Sequence, residues 1–208
     1  MLPQLHHRCC LPLLLLLTLT AANPDAAKVK VTVYQESLCI DSRTFLLRQL
    51  YPLWTNLSDI IDLDFNSYGK SKEYVNGDDY SWTCQHGPEE CLANVMLTCA
   101  KKYIEDECQL MDFNRCVMKK FTGTAAGPPC AIETGVEFQD IQTCYNSAEG
   151  RRLQHEVGVA QGALVPSLTD VPWILINDMF TEEQWDAAKK DLKKVVCDAY
   201  QGEKPDLC

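Results

Sequence analysis

No apolar stretch in this 208-residue chain is long enough to span a bilayer comfortably. Basic residues are also few: Lys and Arg total 19 against 29 Asp and Glu, a net charge of −10. Such a chain is poorly suited to nucleic acid or to anionic membrane surfaces. There is no glycine-rich phosphate loop, no internal repeat and no low-complexity linker, so the chain reads as one domain. It also lacks any CxxC pair. Structural zinc sites are built on such short pairs, so the sequence suggests no metal.

Cysteine is abundant, with 12 in all. Arg8, the mostly apolar run Leu11–Leu19 and the small residues Thr20-Ala21-Ala22 have the order of a secretory signal peptide, residues 1–22. A membrane anchor is the competing reading, but the run is short and no second one follows. Cleavage after Ala22 removes Cys9, Cys10 and Arg8, leaving ten cysteines and 18 basic against 29 acidic residues, a net charge of −11. Ten cysteines in a secreted domain of residues 23–208 point to disulfides. The candidates are Cys84, Cys91, Cys99, Cys108, Cys116, Cys130, Cys144, Cys197 and Cys208, with pairing open. Cys39 either joins a fifth pair or stays free and leaves one further thiol. Asn56-Leu57-Ser58 is a glycosylation sequon. Acidity and sequon suit the secretory pathway, with secretion or a lysosomal lumen as the end point.

The stretch 28–54 organises the rest. Val29, Val31 and Val33 alternate with polar residues, the pattern of a half-buried strand. From Phe45 the apolar spacing becomes helical, through Leu46, Leu50, Leu53 and Leu57, with Pro52 expected to kink or end the helix. Cys39 falls at the junction, where helix N-terminal N–H groups stabilise a thiolate. A second strand is expected over 60–68, then a polar stretch 70–80 with an Asn76-Gly77 turn. Helical spacing follows over 93–104, 108–117, 141–145 and 153–159, with Gly127-Pro128-Pro129 as a loop. Residues 70–162 thus read as a helical insertion. A proline-led strand, 171–176, and a helix opened by the Thr181–Gln184 capping box complete the chain.

Two features carry a family resemblance. Cys39-Ile40-Asp41-Ser42 resembles the thioredoxin-like CxxC redox site with serine in the second cysteine's place. Cys84, Gln85, His86, Gly87, Glu90, Cys91, Asn94 and Cys99 form CQHGxxECxxNxxxxC. This closely resembles the signature of the gamma-interferon-inducible lysosomal thiol reductase family. The resemblance continues in Tyr34–Cys39, Val171-Pro172-Trp173 and Val196–Cys208. It implies an α/β, thioredoxin-like fold with a cysteine-rich helical insertion, and reduction of protein disulfides in acidic endosomes and lysosomes, linked to antigen processing and host defence. It implies Cys39 as nucleophile and Pro172 as a cis-proline beside it. No cofactor is implied beyond an external thiol such as cysteine or glutathione. Disulfide-containing polypeptides are the implied partners, and oligomeric state is left open.

Ser42 stands at the resolving position and has no sulfur with which to resolve a mixed disulfide. An outside thiol, or the substrate's own thiol, then has to act. The alternative is a non-turnover protein that binds or traps polypeptides. Ser42 is a candidate hydrogen-bond partner for the thiolate. Arg43 reads as a solvated helix residue, and Glu36, Asp41 and Asp78-Asp79 as solvated acids. His86 reads as a turn residue packed near the cysteines rather than a pH-responsive group. His155 and Cys39 together would suit a Cys–His hydrolase, but no hydrolase signature accompanies them.

Overall fold

Seven residues of strand, β1 (Val29–Gln35), sit at the centre of a three-stranded sheet. The computed structural model describes residues 26–208. The signal peptide expected over residues 1–22, with Cys9 and Cys10, lies outside them. β1 pairs in parallel with β2 (Ile61–Ser67), Val31 against Leu63 and Val33 against Phe65. On its other edge it pairs antiparallel with β5 (Trp173–Ile176), Val33 against Ile174. Val29, Val31 and Val33 are buried, as the alternation requires, but so is Thr32, because a central strand is covered on both faces.

Between β1 and β2 the chain forms α1 (Ile40–Phe45), a π-helical turn (Leu46–Leu50) and α2 (Tyr51–Leu57). Pro52 therefore does not end the helix. It sits in the first turn of α2, behind the π-helical turn, where the ladder has already changed register and no N–H is needed. Asn56 is exposed on α2.

The segment between β2 and β5 opens with a hairpin, β3 (Lys72–Asn76) and β4 (Asp79–Thr83), turning at Gly77. The sequence shows the turn but not the strands, because both faces are largely exposed and no apolar alternation marks them. Five helices follow: α3 (Pro88–Tyr103), α4 (Glu107–Lys120), α5 (Gly127–Thr134), α6 (Phe138–Tyr145) and α7 (Ala148–Gly162). The expected loop at Gly127-Pro128-Pro129 is instead the start of α5. Proline is tolerated there because first-turn N–H groups have no helical partner.

The last helix, α8 (Glu182–Ala199), starts with Thr181 accepting the Gln184 N–H at 3.1 Å. It kinks at Asp191, whose backbone is non-helical. Gln49, in the π-helical turn, accepts the Leu192 N–H at 3.3 Å and donates to the Lys190 carbonyl at 2.9 Å. One side chain thus satisfies the groups that the kink frees and ties α8 to the helix behind Cys39.

Four disulfides close the structure: Cys84–Cys91, Cys99–Cys144, Cys116–Cys130 and Cys197–Cys208. Cys108 is not in one. It is exposed in the first turn of α4, and with buried Cys39 it makes the two free cysteines among the described residues. Its position one residue inside α4, facing solvent, gives it no cysteine to meet. Among the described residues, no helix is long and apolar enough to cross a membrane.

Candidate active site

Each residue from Gln35 to Cys39 is held by at least one hydrogen bond. The Gln35 amide donates to Ser67 Oγ at 2.5 Å. Glu36 accepts the Lys70 N–H on Oε1 at 2.6 Å. The Ser37 N–H donates to Asn94 Oδ1 at 2.9 Å, and the Ser37 hydroxyl to the Glu90 carbonyl at 3.2 Å. The Leu38 N–H donates to Glu90 Oε2 at 3.2 Å. The Cys39 N–H donates to the Glu36 carbonyl at 3.2 Å. A loop pinned at every residue presents its cysteine in one place, which is what a positioned nucleophile needs.

Cys39 is the N-cap of α1, with extended backbone, and is 7% exposed. Ser42 is buried one turn on, and its oxygen accepts the Glu36 N–H at 3.3 Å. Its hydroxyl fastens the loop in front of the cysteine. Arg43 is not merely solvated. It donates to the carbonyls of Met118 and Lys119 at 3.1 and 3.2 Å and lies over the Phe121 ring, clamping α1 to the end of α4.

The eight signature residues do different work. Cys84–Cys91 closes a short loop, and Gly87, with φ +95°, turns it into α3. Glu90 and Asn94, one turn apart and fully buried, reach the 35–39 loop. Cys99 anchors α3 to α6. Gln85 is exposed. His86 lies in the turn before α3, inside the Cys84–Cys91 loop, as expected, and its side chain also reaches the acids beside Cys39. Its Nδ1 lies 2.6 Å from Glu90 Oε2 and 3.6 Å from Glu36 Oε2, and its backbone N–H donates to Glu90 Oε1 at 3.0 Å. One donor atom each from Glu36, Cys39 and His86 lie within 4.8 Å of one another.

Glu36, expected to be solvated, is completely buried, and its Oε2 has no hydrogen-bond partner. Burial pushes its carboxyl above the ordinary carboxylate range. The Lys70 N–H works the other way, the Glu90 charge pushes it further up, and His86 and the Lys70 charge oppose that. Room for this side chain comes from Gly69. A Cβ there would lie 2.3 Å from Glu36 Cγ, and its φ of +61° also favours glycine. Asp41, Asp78 and Asp79 are exposed, as expected. His155 is elsewhere: it stacks on Tyr80 at 4.0 Å and meets the Glu73 carboxylate at 3.0 Å, holding the hairpin to α7. It is not brought to Cys39, and the Cys–His pairing is thereby removed.

The Val171–Pro172 peptide is cis. The Trp185 indole donates to the Pro172 carbonyl at 2.7 Å, and Lys70 pairs with Asp170 at 3.1 Å. Pro172, Trp185, Asp41, Phe45, Arg48 and Lys189 are among the residues lining a cleft of about 560 Å³ between α1 and α8. Pro172 and the first turn of α1 therefore share one cleft. Lys70, Gly69 and Asp170 carry no motif of their own in the sequence, and the Tyr34–Cys39 motif that contains Glu36 does not mark its burial; only the polar stretch after β2 hints that something is held there.

The architecture resembles that of oxidised BdbD from Bacillus subtilis, with a TM-score of 0.57 over 84% of this chain and 90% of that one, at 15% identity. A disulfide-stabilised, thioredoxin-like α/β fold with a free cysteine capping the first helix defines the structural class, one that presents a thiol where disulfide exchange begins. Residues 30–134 match the family model described as gamma interferon inducible lysosomal thiol reductase. GILT-like protein 1 of Drosophila melanogaster is 35% identical, over 97% of this chain and 87% of that protein. The gamma-interferon-inducible lysosomal thiol reductase of Carassius auratus is also 35% identical, over 88% and 73%. The chain belongs to this family.

Proposed function

We propose that the protein reduces or rearranges disulfides in polypeptides, with Cys39 as nucleophile and a thiol from outside the chain as resolving group. The observation that carries this reading is the Cys39 thiol itself. It is free, caps α1, and sits on a loop whose every residue is pinned, while eight other cysteines are locked in disulfides. The Cys39 thiolate attacks one sulfur of a substrate disulfide, forms a mixed disulfide and releases the other sulfur as a thiolate. One external thiolate then displaces the substrate's second thiol and remains on Cys39. A second frees Cys39 as the external disulfide leaves. Two external thiols are oxidised for each substrate disulfide reduced. If a different thiol of the same substrate attacks the substrate sulfur of the mixed disulfide instead, Cys39 leaves as the thiolate, a new substrate disulfide forms, and the net result is isomerisation.

Ser42 favours a second reading, in which the mixed disulfide persists and the protein traps its partner. The cleft between α1 and α8, floored by Pro172 and Trp185, is the seat for a polypeptide segment in either case. The family match, the four disulfides and the exposed sequon support action in the secretory pathway or lysosomal lumen.

The test is disulfide reduction by the purified protein at acidic pH with cysteine or glutathione. Activity absent from Cys39→Ser establishes the monothiol cycle. Rates equal to that control, with polypeptides recovered on Cys39, establish trapping. Ser42→Cys restores an internal resolving thiol, and turnover is expected to rise roughly tenfold or more, because the second attack becomes intramolecular.

A further inference from the structure

The cluster Glu36, Cys39 and His86 is more than the proposed disulfide chemistry requires. Three different donor types, a thiol sulfur, an imidazole nitrogen and a carboxylate oxygen, converge within 4.8 Å. Glu36 is fully buried, its Oε2 is without a partner, and that atom lies 3.6 Å from His86 Nδ1. An unpartnered, buried carboxylate oxygen is costly unless something cationic or hydrogen-bonding meets it. Glu36 is fixed from behind by the Lys70 N–H and by the absence of a side chain at Gly69. Cys39 is fixed by the pinned loop and His86 by Glu90.

We propose that Glu36, Cys39 and His86 form a binding site for a zinc-class divalent cation, which masks the Cys39 thiol. Sulfur, nitrogen and oxygen together suit a borderline ion such as Zn²⁺, which takes four ligands in a tetrahedron. Three protein donors leave the fourth position for solvent, which reaches the site beside the one-third-exposed His86 side chain. The charges favour a cation: a dication meets one thiolate and one carboxylate, with neutral imidazole, the buried Glu90 carboxylate beside His86 adds a further negative charge, and the thiol proton passes to solvent. The His86 backbone N–H donates to Glu90 Oε1 at 3.0 Å, which fixes this residue beside the site. The sequence suggested no metal because the three residues come from two separate stretches, with none of the short pairs that mark zinc sites. The masking of a nucleophile rests on the function proposed above; the binding of the ion does not.

The experiment separates the two. Untagged protein in a Cys108→Ser background, with Cys39 as its free thiol among the described residues, is titrated with Co²⁺ and with Zn²⁺. One equivalent of Co²⁺ is expected to produce a thiolate-to-cobalt charge-transfer band, displaced by Zn²⁺. Cys39→Ala should abolish the band. Glu36→Gln and His86→Ala should each weaken binding tenfold or more. Near-ultraviolet circular dichroism confirms that each variant is folded. As a measurement independent of any variant, one equivalent of Zn²⁺ should slow alkylation of Cys39 at least tenfold. A wild-type protein with no charge-transfer band, or a Cys39 alkylated at the same rate with and without Zn²⁺, overturns the proposal. Inactivity of metal-free protein would count against the proposed reaction and leave the cation site standing.

Discussion

Glu36 is the residue at which burial and charge oppose each other most directly. Burial raises its carboxyl above the ordinary range, so the folded chain favours the neutral form. The sign of the stability effect follows from linkage. The contribution of this group is complete below the unfolded carboxyl value of about 4.3 and is lost as pH rises through the higher folded value. In chelator-treated protein, Glu36→Gln should therefore raise the melting temperature at pH 7. The difference should shrink towards pH 4, and thermal melts across that range measure it. An equal effect at both ends would contradict the assignment. Cys39 was legible in the sequence because a change from strand to helix period marks its position. Glu36 was misread as solvated, and the meeting of His86 with Glu36 and Cys39 was missed, because the two motifs mark the family and not which side chains meet. Their roles depend on α3 returning to the end of β1, a contact that only tertiary structure makes.

At the scale of elements, α3 is the piece that brings the signature to the thiol. It is fixed at both ends, by Cys84–Cys91 at its start and by Cys99–Cys144 to α6. The two bonds span 7 and 45 residues, so chain entropy gives them different weights, about 2 and about 4 kcal/mol. Replacing Cys99 and Cys144 together by alanine should lower global stability by about twice as much as replacing Cys84 and Cys91, as denaturant melts will show. The shorter pair should matter more for the rate of Cys39 alkylation, because its loop carries His86. The sheet strands, α3, α4 and α8 were legible from periodicity, since each has an apolar face. The hairpin was not, because it has no buried face and leans on α7 through His155 and Arg151. The start of α5 and the course of the helix through Pro52 were hidden by proline, which reads as a break in sequence but is accommodated in a first turn.

The molecule as a whole holds eight cysteines in disulfides and two as thiols among the described residues. The cycle proposed here consumes an external thiol, and the same reagent attacks the protein's own bonds. Cys99–Cys144 and Cys116–Cys130 are shielded, with every sulfur-bearing residue at most 2% exposed. Cys84 and Cys91 are only half-buried, and Cys208 is exposed. Incubation with excess glutathione should open Cys84–Cys91 and Cys197–Cys208 first, as mass spectrometry of trapped thiols will show. Activity should decay in step with the first of these, and loss in step with Cys99–Cys144 instead would contradict the shielding. Fuel and wear are then one substance for this protein. Its half-life under load is set by the half-exposed bond that holds the His86 loop in place, and a richer supply of reductant shortens it.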